Sequence, residues 1–420
     1  MTATITRPTV SIVLATHNRR AVVESTLARL VDCGLDRGHY ESIVVDNAST
    51  DDTCEAVAQR VNRLIRLRKN AGSTAKAFGA DVARGRYLLF LDDDSYPRPG
   101  ALERMIERFE IDATLAAAGF TVHLPSGRLE GGALPGVFVG CGVGLRAEAY
   151  RAVGGLDRSF FMQAEEYDLC FRLAGAGWTV GVFDDLHVDH LKTEHSRRSD
   201  RTTYYDTRNN LRVIARYLPT PLARAYRADC VQRYAWFAER DGDSHRRAFR
   251  RGRRAGFVLG ALERITYSKR RLPSPVLERF FGWTLIRQRM AGLARDGVRR
   301  VVFADLGKNI YPFHEAARES GIAVAAIADD RFAAPDRFYR GTPILPIDAA
   351  LETNPDAVVV SNTAPVHAAR TAAFLALKTR IPVYSWTSAA NNPNACETDS
   401  DNPPPPSDEK GVERMCALHS

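Results

Sequence analysis

The run Tyr87-Leu88-Leu89-Phe90-Leu91-Asp92-Asp93-Asp94-Ser95 constrains this chain more than any other stretch. Apolar residues in unbroken succession suit a strand buried on both faces of a mostly parallel sheet. Three carboxylates cannot follow it into that core, because desolvating an unpaired carboxylate is very costly. The run must therefore reach the surface at Asp92, the carboxyl end of the strand, where open α/β sheets bind their ligands. Acids crowded there repel one another unless a cation sits between them, and hard oxygen donors favour Mg²⁺ or Mn²⁺. The plainer alternative is a strand ending in a solvated acidic turn.

The residues before it build the same sheet. Residues 9–16 read as a first buried strand. Asn18 can cap a helix carrying Val23, Leu27, Leu30 and Val31 on one side and stopping at Gly34. Residues 42–45 form a second strand that runs into Asp46-Asn47-Ala48-Ser49-Thr50-Asp51-Asp52, with Thr50 or Asp51 capping a helix to residue 61. Residues 64–67 are a short third strand, Asn70-Ala71-Gly72-Ser73 a turn, and 74–84 a small-residue helix ended by Gly85. Strands alternating with helices through short connections imply a parallel α/β sheet. Asp46 and the acids at 92–94 then fall on one rim, and two acidic strand ends on one rim are harder to dismiss than one.

Three segments carry a family likeness: Ser11-Ile12-Val13-Leu14-Ala15-Thr16-His17-Asn18-Arg19, Val44-Val45-Asp46-Asn47-Ala48-Ser49-Thr50-Asp51, and residues 85–94. Val153-Gly154-Gly155-Leu156-Asp157, Phe160-Phe161 and Glu165-Glu166-Tyr167-Asp168-Leu169-Cys170-Phe171-Arg172 extend it. In this order they resemble the family-2 glycosyltransferases of GT-A fold, over roughly residues 9–217.

The resemblance implies transfer of a sugar from a nucleotide-diphosphate donor to an acceptor hydroxyl, with a divalent cation, Mg or Mn, on the diphosphate. It implies that Asp46 holds the base, that Thr16 and Arg19 lie in the loop meeting the nucleotide, and that Asn47 and Asp93 belong to the same donor site. Asp92 would face the ribose and Asp94 would bind the metal, which neutralises charge on the departing diphosphate. Inversion needs one base to take the acceptor proton. The family usually has Asp at the second acid of the Glu165-Glu166 pair; here it is Glu166, whose side chain is one methylene longer. Asp168 is the second candidate, although a helix over 166–174 sets it at i, i+4 to Arg172, where an ion pair would occupy it.

The last metal ligand is sought in His187-Val188-Asp189-His190, after an expected strand at 179–183. His190 fits better than His187, because it leads into Leu191-Lys192 and then Tyr204-Tyr205-Asp206-Thr207-Arg208-Asn209-Asn210, a continuation seen in related enzymes. Lys192, Arg197 and Arg198 could contact the diphosphate or form a basic loop. Val137-Phe138-Val139-Gly140-Cys141-Gly142-Val143-Gly144-Leu145 is a Gly-rich stretch expected beneath donor sugar and acceptor, or else a tight strand crossing.

The chain divides into a catalytic GT-A domain at 1–218 with a Rossmann-like mixed α/β sheet, a helical connector at 219–296, a second, smaller Rossmann-like α/β domain at 297–388, and a disordered Asn/Pro/Ser/Asp-rich tail at 389–420. The turn Asp305-Leu306-Gly307-Lys308-Asn309 lacks G-x-G-x-x-G, which speaks against dinucleotide binding and for a scaffold or acceptor-side role. There is no G-x-x-x-x-G-K-[ST] and no Q-x-x-R-W, so neither a P-loop protein nor a processive synthase is expected.

No apolar run approaches the ~20 residues of a membrane span, no signal peptide is visible, and the seven cysteines include no C-x-x-C pair. A cytoplasmic protein follows. The net charge of +8 is concentrated in Arg246, Arg247, Arg250, Arg251, Arg253 and Arg254, either a solvated helix face or a patch for an anionic partner such as the inner membrane surface. The expected partners are thus a nucleotide-sugar donor, a glycan or glycolipid acceptor and that surface, with no nucleic acid. The reading is an inverting glycosyltransferase of polysaccharide or cell-envelope glycan synthesis. Its rivals are a non-catalytic sugar-nucleotide-binding protein and a sugar-1-phosphate nucleotidyltransferase.

Overall fold

The computed structural model describes residues 8–386 apart from 32, 37, 193–198 and 268–270. The tail expected at 389–420, and Arg197 and Arg198, lie outside the described residues.

The first sheet contains β1 (Val10–Thr16), β2 (Tyr40–Asp46), β3 (Arg63–Arg66), β4 (Tyr87–Asp92), β5 (Ser95–Pro97), β6 (Leu115–His123), β7 (Leu129–Glu130), β8 (Gly142–Arg146) and β9 (Thr179–His190). Its order is β3-β2-β1-β4-β8-β6-β9-β5, with β7 beside β6. The first four strands are parallel, as their sequence pattern demands. Beyond β4 the sheet turns mixed: β8 is antiparallel to β4 and β6, while β6 and β9 are parallel. Alternate residues of β4 serve two cores. Leu88 and Phe90 pack on one face, and Leu89 and Leu91 on the other. Helices Arg20–Leu30 and Ala101–Ile111 cover the second face, and helices Glu165–Gly175 and Asp200–Tyr217 the first.

Some local expectations give way to tertiary contacts. Asn18 does not cap its helix: it stands at φ 51°, and its Oδ1 instead accepts from Thr50 N at 2.7 Å, tying the β1 loop to the β2 loop. The helix ends at Leu30, before Gly34. The strand expected at 179–183 runs on to His190, because β6 and β5 supply ladder partners along that length.

A second sheet has the order β12-β13-β11-β10-β14-β15. Its strands are β10 (Arg300–Ala304), β11 (Ala323–Ala328), β12 (Phe338–Tyr339), β13 (Thr342–Leu345), β14 (Ala357–Val360) and β15 (Val383–Ser385). All neighbours are parallel except β12 and β13. Helix Thr220–Asp241 joins the two sheets. Tyr226 and Tyr234 enter the first core, while Trp236 and Phe237 pack against the second. Asp229 on this helix accepts from Tyr339 at 2.8 Å and pairs with Arg340 at 2.9 Å.

Candidate active site

Strand register brings the acidic ends together. Thr16 pairs with Asp46 across β1 and β2, and Ala15 with Asp92 across β1 and β4. The three consecutive acids nevertheless point three ways, each toward a cation of the protein. Asp92 Oδ1 receives the buried Lys76 ammonium at 2.5 Å, and Lys76 also donates to Gly140 O at 2.8 Å. Burial works against the Asp92 charge, but Lys76 overrides it and holds the carboxyl below its ordinary value. Asp93 turns back under the strand, accepting from Thr16 Oγ1 at 2.8 Å and pairing with Arg19 at 2.5 Å. Burial dominates there and pushes the Asp93 carboxyl up to about 6. Asp94 pairs with Arg19 at 2.9 Å and with His190 Nε2 at 3.1 Å, which together outweigh burial and hold it well below the carboxylate range.

His190 is at the centre of the candidate metal centre. Residues three apart in an extended strand face opposite ways. His190 accordingly faces Asp94, with Asp92 Oδ2 at 3.9 Å, whereas His187 faces away and meets His123 at 3.1 Å. On the other side His190 Nδ1 lies 3.0 Å from Glu130 Oε2 and 3.4 Å from Cys141 Sγ. A proton on Nδ1 shared with Glu130 leaves the Nε2 lone pair aimed between two carboxylates. Without a cation that position is tenable only if His190 carries a second proton. Burial opposes that proton, but the bonds to Asp94 and Cys141, with the Asp92 charge, outweigh it and raise His190 to about 10. A six-coordinate ion with bonds of ~2.1 Å sets neighbouring donors ~3 Å apart, which the Asp94–His190 spacing meets. Nitrogen and carboxylate donors fit a divalent cation, while burial keeps the Cys141 thiol protonated and a poor ligand.

A cleft of about 560 Å³ opens beside this centre, lined among others by Ser73, Asp92, Gly140, Glu165, Glu166 and His190. Glu165 accepts a short bond from Ser73 Oγ. Glu166 stands over Gly140, where any Cβ would come 3.2 Å from its Oε1. The missing side chain at 140 thus leaves room for the extra methylene that Glu has over Asp. Burial, reinforced by the neighbouring Glu165 charge, pushes the Glu166 carboxyl up to about 8.

The backbone that presents these two acids is strained. Phe161, Gln163 and Ala164 all have positive φ (67°, 69° and 65°), each costing ~1–3 kcal/mol unless its surroundings impose it. Asn209 imposes it, donating from Nδ2 to the carbonyls of Phe160, Met162 and Gln163 at 3.0, 2.7 and 2.8 Å. Gly72 lets the chain pass against Phe161 O, which a Cβ would meet at 2.1 Å.

The structure separates the other candidates by position. Asp46 is buried at the β2 end and accepts from Ser49 N at 3.3 Å. Asn47 binds Ala71 N at 2.7 Å and Gly72 O at 3.0 Å, so it fixes the loop that carries Ser73. Thr16, Arg19, Asp46, Asn47 and Asp93 form one side of the rim, next to the cleft and not among its lining residues. Asp168 is in neither place. It is fully buried and receives Arg172 twice, at 2.9 and 2.6 Å, Arg216 at 2.7 Å and Tyr217 at 2.6 Å, which fills the four lone-pair sites of the carboxylate and leaves none for a substrate proton. As a candidate base it is therefore set aside. Lys76 and Glu130 line the candidate site without having been singled out in the sequence, whereas Gly140 and Asn209 lie in the Gly-rich stretch and the Tyr204–Asn210 continuation noted there. Of the first two, Lys76 left a signal, as the one charge inside the stretch 74–80.

Residues 11–135 match the model of the family described as Glycosyl transferase family 2. TuaG of Bacillus subtilis, named for teichuronic acid biosynthesis, is 27% identical over 155 residues, covering 32% of this chain and 60% of TuaG. The succinoglycan biosynthesis protein ExoO of Rhizobium meliloti is 39% identical over 108 residues, 24% of this chain and 30% of ExoO. A dodecaprenyl-phosphate galacturonate synthase of Rhizobium johnstonii is 26% identical over 242 residues, 52% of this chain and 68% of that protein. The chain thus spans less than two thirds of the first two relatives. The segment that matches the glycosyl transferase family 2 model, residues 11–135, contains the strand ends that carry Thr16, Asp46 and Asp92.

Proposed function

We propose that this protein is an inverting, metal-dependent glycosyltransferase that moves a sugar from a nucleotide-diphosphate donor to an acceptor hydroxyl in polysaccharide or cell-envelope glycan synthesis. The observation that carries the reading is the shared cleft: Glu166, with its raised carboxyl, opens onto the same cavity as the Asp92–His190 side of the rim. The names of TuaG and ExoO support the biological setting.

Asp46 receives the base, Asp92 the ribose, and Thr16 and the half-exposed Arg19 the nucleotide, with Asn47 and Asp93 holding the loops around them. Asp94 and His190 would hold the cation, Mg²⁺ or Mn²⁺. When bound, that ion supplies Lewis-acid stabilisation of the charge on the leaving diphosphate. Glu166 accepts the proton of the acceptor hydroxyl as its oxygen bonds to the anomeric carbon from the face opposite the diphosphate. The anomeric C–O bond to the diphosphate breaks in the same step, which inverts the centre. A base with pKa near the working pH suits this proton transfer.

An anionic membrane surface is the partner we assign to helix Asp243–Thr266. One exposed stripe of it carries Arg247, Arg251 and Arg254, then Val258, Leu262 and Ile265 at 56%, 58% and 79% exposure. Among the described residues no helix is long and apolar enough to cross a membrane, so the association proposed is peripheral, at the cytoplasmic face.

The test is a thermal-shift screen of nucleotide sugars with and without Mn²⁺, followed by assay of released nucleoside diphosphate. A donor that binds with metal raises the melting temperature by mass action. No metal-dependent shift with any donor overturns the reading. A shift without transfer to any acceptor favours a non-catalytic nucleotide-sugar binder.

A further inference from the structure

The cleft has a second side, built by helix Thr220–Asp241 and, from the C-terminal α/β unit, by Lys308. In the sheet of that unit the chain leaves β10 for β11 on one side and reaches β14 on the other, so its topological switch point lies at the β10 and β14 carboxyl ends. Such an edge is where an open α/β sheet ordinarily binds a ligand. Here it is closed by its own side chains. Asn362 Nδ2 donates to Asp305 Oδ2 at 2.6 Å, and Asn309 Nδ2 donates to Thr363 Oγ1 at 3.1 Å and to Phe281 O at 2.9 Å. Gly307 packs on Asn362 and Ser361, where a Cβ would meet heavy atoms at 3.1 Å. Asp305 is held at φ 77°, a conformation that costs a non-glycine residue energy and is kept only where the surroundings impose it. The loop 305–309 is thus rigid, and it does not serve its own sheet.

It serves the other one. Lys308, at the tip of this loop, lines the same cleft as Glu166. Its Nζ lies over the ring of Tyr167, 5.3 Å from the centroid, and 3.4 Å from Asn210 Oδ1. Tyr167 is the residue next to Glu166. Beside it in the cleft stands Arg233 of helix Thr220–Asp241, with one arm on Leu306 O and the rings of Phe237 and Phe332 flanking its guanidinium at 5.2 and 5.1 Å.

Among the described residues neither cation forms an ion pair. Asp305 and Asp329, beside this loop, are taken by Arg331, while Asp206, which also lines the cleft, favours the Lys308 charge without an ion pair to it. The Nε of Arg233 is sealed from solvent and bonded to nothing. Burial pulls the Arg233 guanidinium below its ordinary value, outweighing the Asp305 charge that favours it. Two like charges placed together in a half-buried wall repel, and buried charges in proteins are ordinarily paired. An anion seated between them would give Arg233 an ion-pair partner and relieve the repulsion.

We infer that Lys308 and Arg233 form an anion-binding subsite for a negatively charged group, phosphate or carboxylate, on the acceptor, and that the C-terminal α/β unit is retained to deliver it. This deepens the glycosyltransferase reading and rests on it for the word acceptor; the anion site itself does not depend on it. The subsite fixes which acceptors reach Glu166: those with an anionic group near the attacking hydroxyl. Lys308 is a positioning residue and takes no part in proton transfer.

The experiment is a calorimetric titration of the full chain in EDTA, so that no divalent cation can capture the probe. Phenyl phosphate is the probe in one arm and glucuronate in the other. Saturable binding of one of them by the wild-type protein is expected, and its identity assigns the group as phosphate or carboxylate. Lys308→Met, which keeps the length of the side chain, should weaken that binding at least tenfold, and Lys308→Arg should restore it. Arg233→Met provides an independent second variant, with melting temperatures confirming that each protein is folded. Saturation by neither anion, or equal affinity in wild type and both folded Met variants, overturns the inference. A separate arm adds Mn²⁺ and nucleoside diphosphates. Loss of metal-dependent nucleotide binding there, with anion binding intact, would sink the glycosyltransferase reading and leave the subsite standing.

Discussion

His190 Nε2 stands 3.1 Å from Asp94 Oδ1, while its Nδ1 stands 3.0 Å from Glu130 Oε2. One strand-end histidine is thus gripped on one nitrogen and aimed by the other. Outer carboxylates of this kind fix ring orientation, and their loss typically costs 10–100-fold in metal affinity. Glu130→Gln should therefore weaken Mn²⁺ binding by about that factor, and Asp94→Asn or His190→Ala should weaken it further. Free Mn²⁺ measured by electron paramagnetic resonance reports all three. Undiminished Mn²⁺ affinity in Asp94→Asn and His190→Ala would remove this centre from the proposal.

Glu166→Gln should slow transfer by about 10²–10⁴-fold, the range for a positioned general base, while metal-dependent donor binding stays as in the wild type. In the free protein the Glu166 carboxyl is raised to about 8, mainly by burial. A base must be ionised to act, so kcat/KM should climb as pH rises through about 8. The stability effect has the opposite sign. The fold favours the neutral carboxyl, so this contribution is present below the ordinary value of 4.5 and is lost as pH rises through about 8. Glu166→Gln removes the loss and should melt higher than wild type at pH 9. A wild-type rate that is flat from pH 6 to 9 counts against the role.

Asp168 and Glu166 lie two residues apart and should fail in different ways. Asp168→Ala leaves Arg172 and Arg216 facing an empty, fully buried position. Removing one partner of a buried ion network typically costs about 3–5 kcal/mol. Urea unfolding should show that loss for Asp168→Ala and no comparable loss for Glu166→Gln. A folded, stable Asp168→Ala protein that cannot transfer would return Asp168 to the chemistry.

The arginine and apolar stripe of helix Asp243–Thr266 predicts salt-sensitive membrane binding. Each Lys or Arg near an anionic bilayer contributes ~1 kcal/mol. The protein should co-float with vesicles containing phosphatidylglycerol and not with neutral ones. The triple change Arg247→Ser, Arg251→Ser, Arg254→Ser should release it, as should Ile265→Asp with Leu262→Asp. Flotation that is indifferent to lipid charge would refute this assignment.

The sheet edge was legible before any coordinates because its cause is local. An apolar run must be buried, an acid cannot be, and the switch between them at Asp92, and again at Asp46, marks a strand end. Which of the acids meet a ligand was not legible. Asp92, Asp93 and Asp94 are alike in sequence, yet β4 ends in a turn that sends them to Lys76, to Arg19 and to His190. Those partners lie 16, 74 and 96 positions away, and no periodicity reports on them. The choice between His187 and His190 likewise needed the true length of β9, which depends on strands β5 and β6 being there to pair with it.

By itself, then, the sequence determined a parallel α/β core and an acidic rim, because hydrophobic patterning and charge burial act over a few residues. Only the tertiary structure decided that Glu166 has room over Gly140, that Asn209 holds its strained loop, and that Lys308 arrives from another sheet. Those contacts join residues 26, 43 and 142 positions apart, counted from Glu166, and packing sets them where chain order does not.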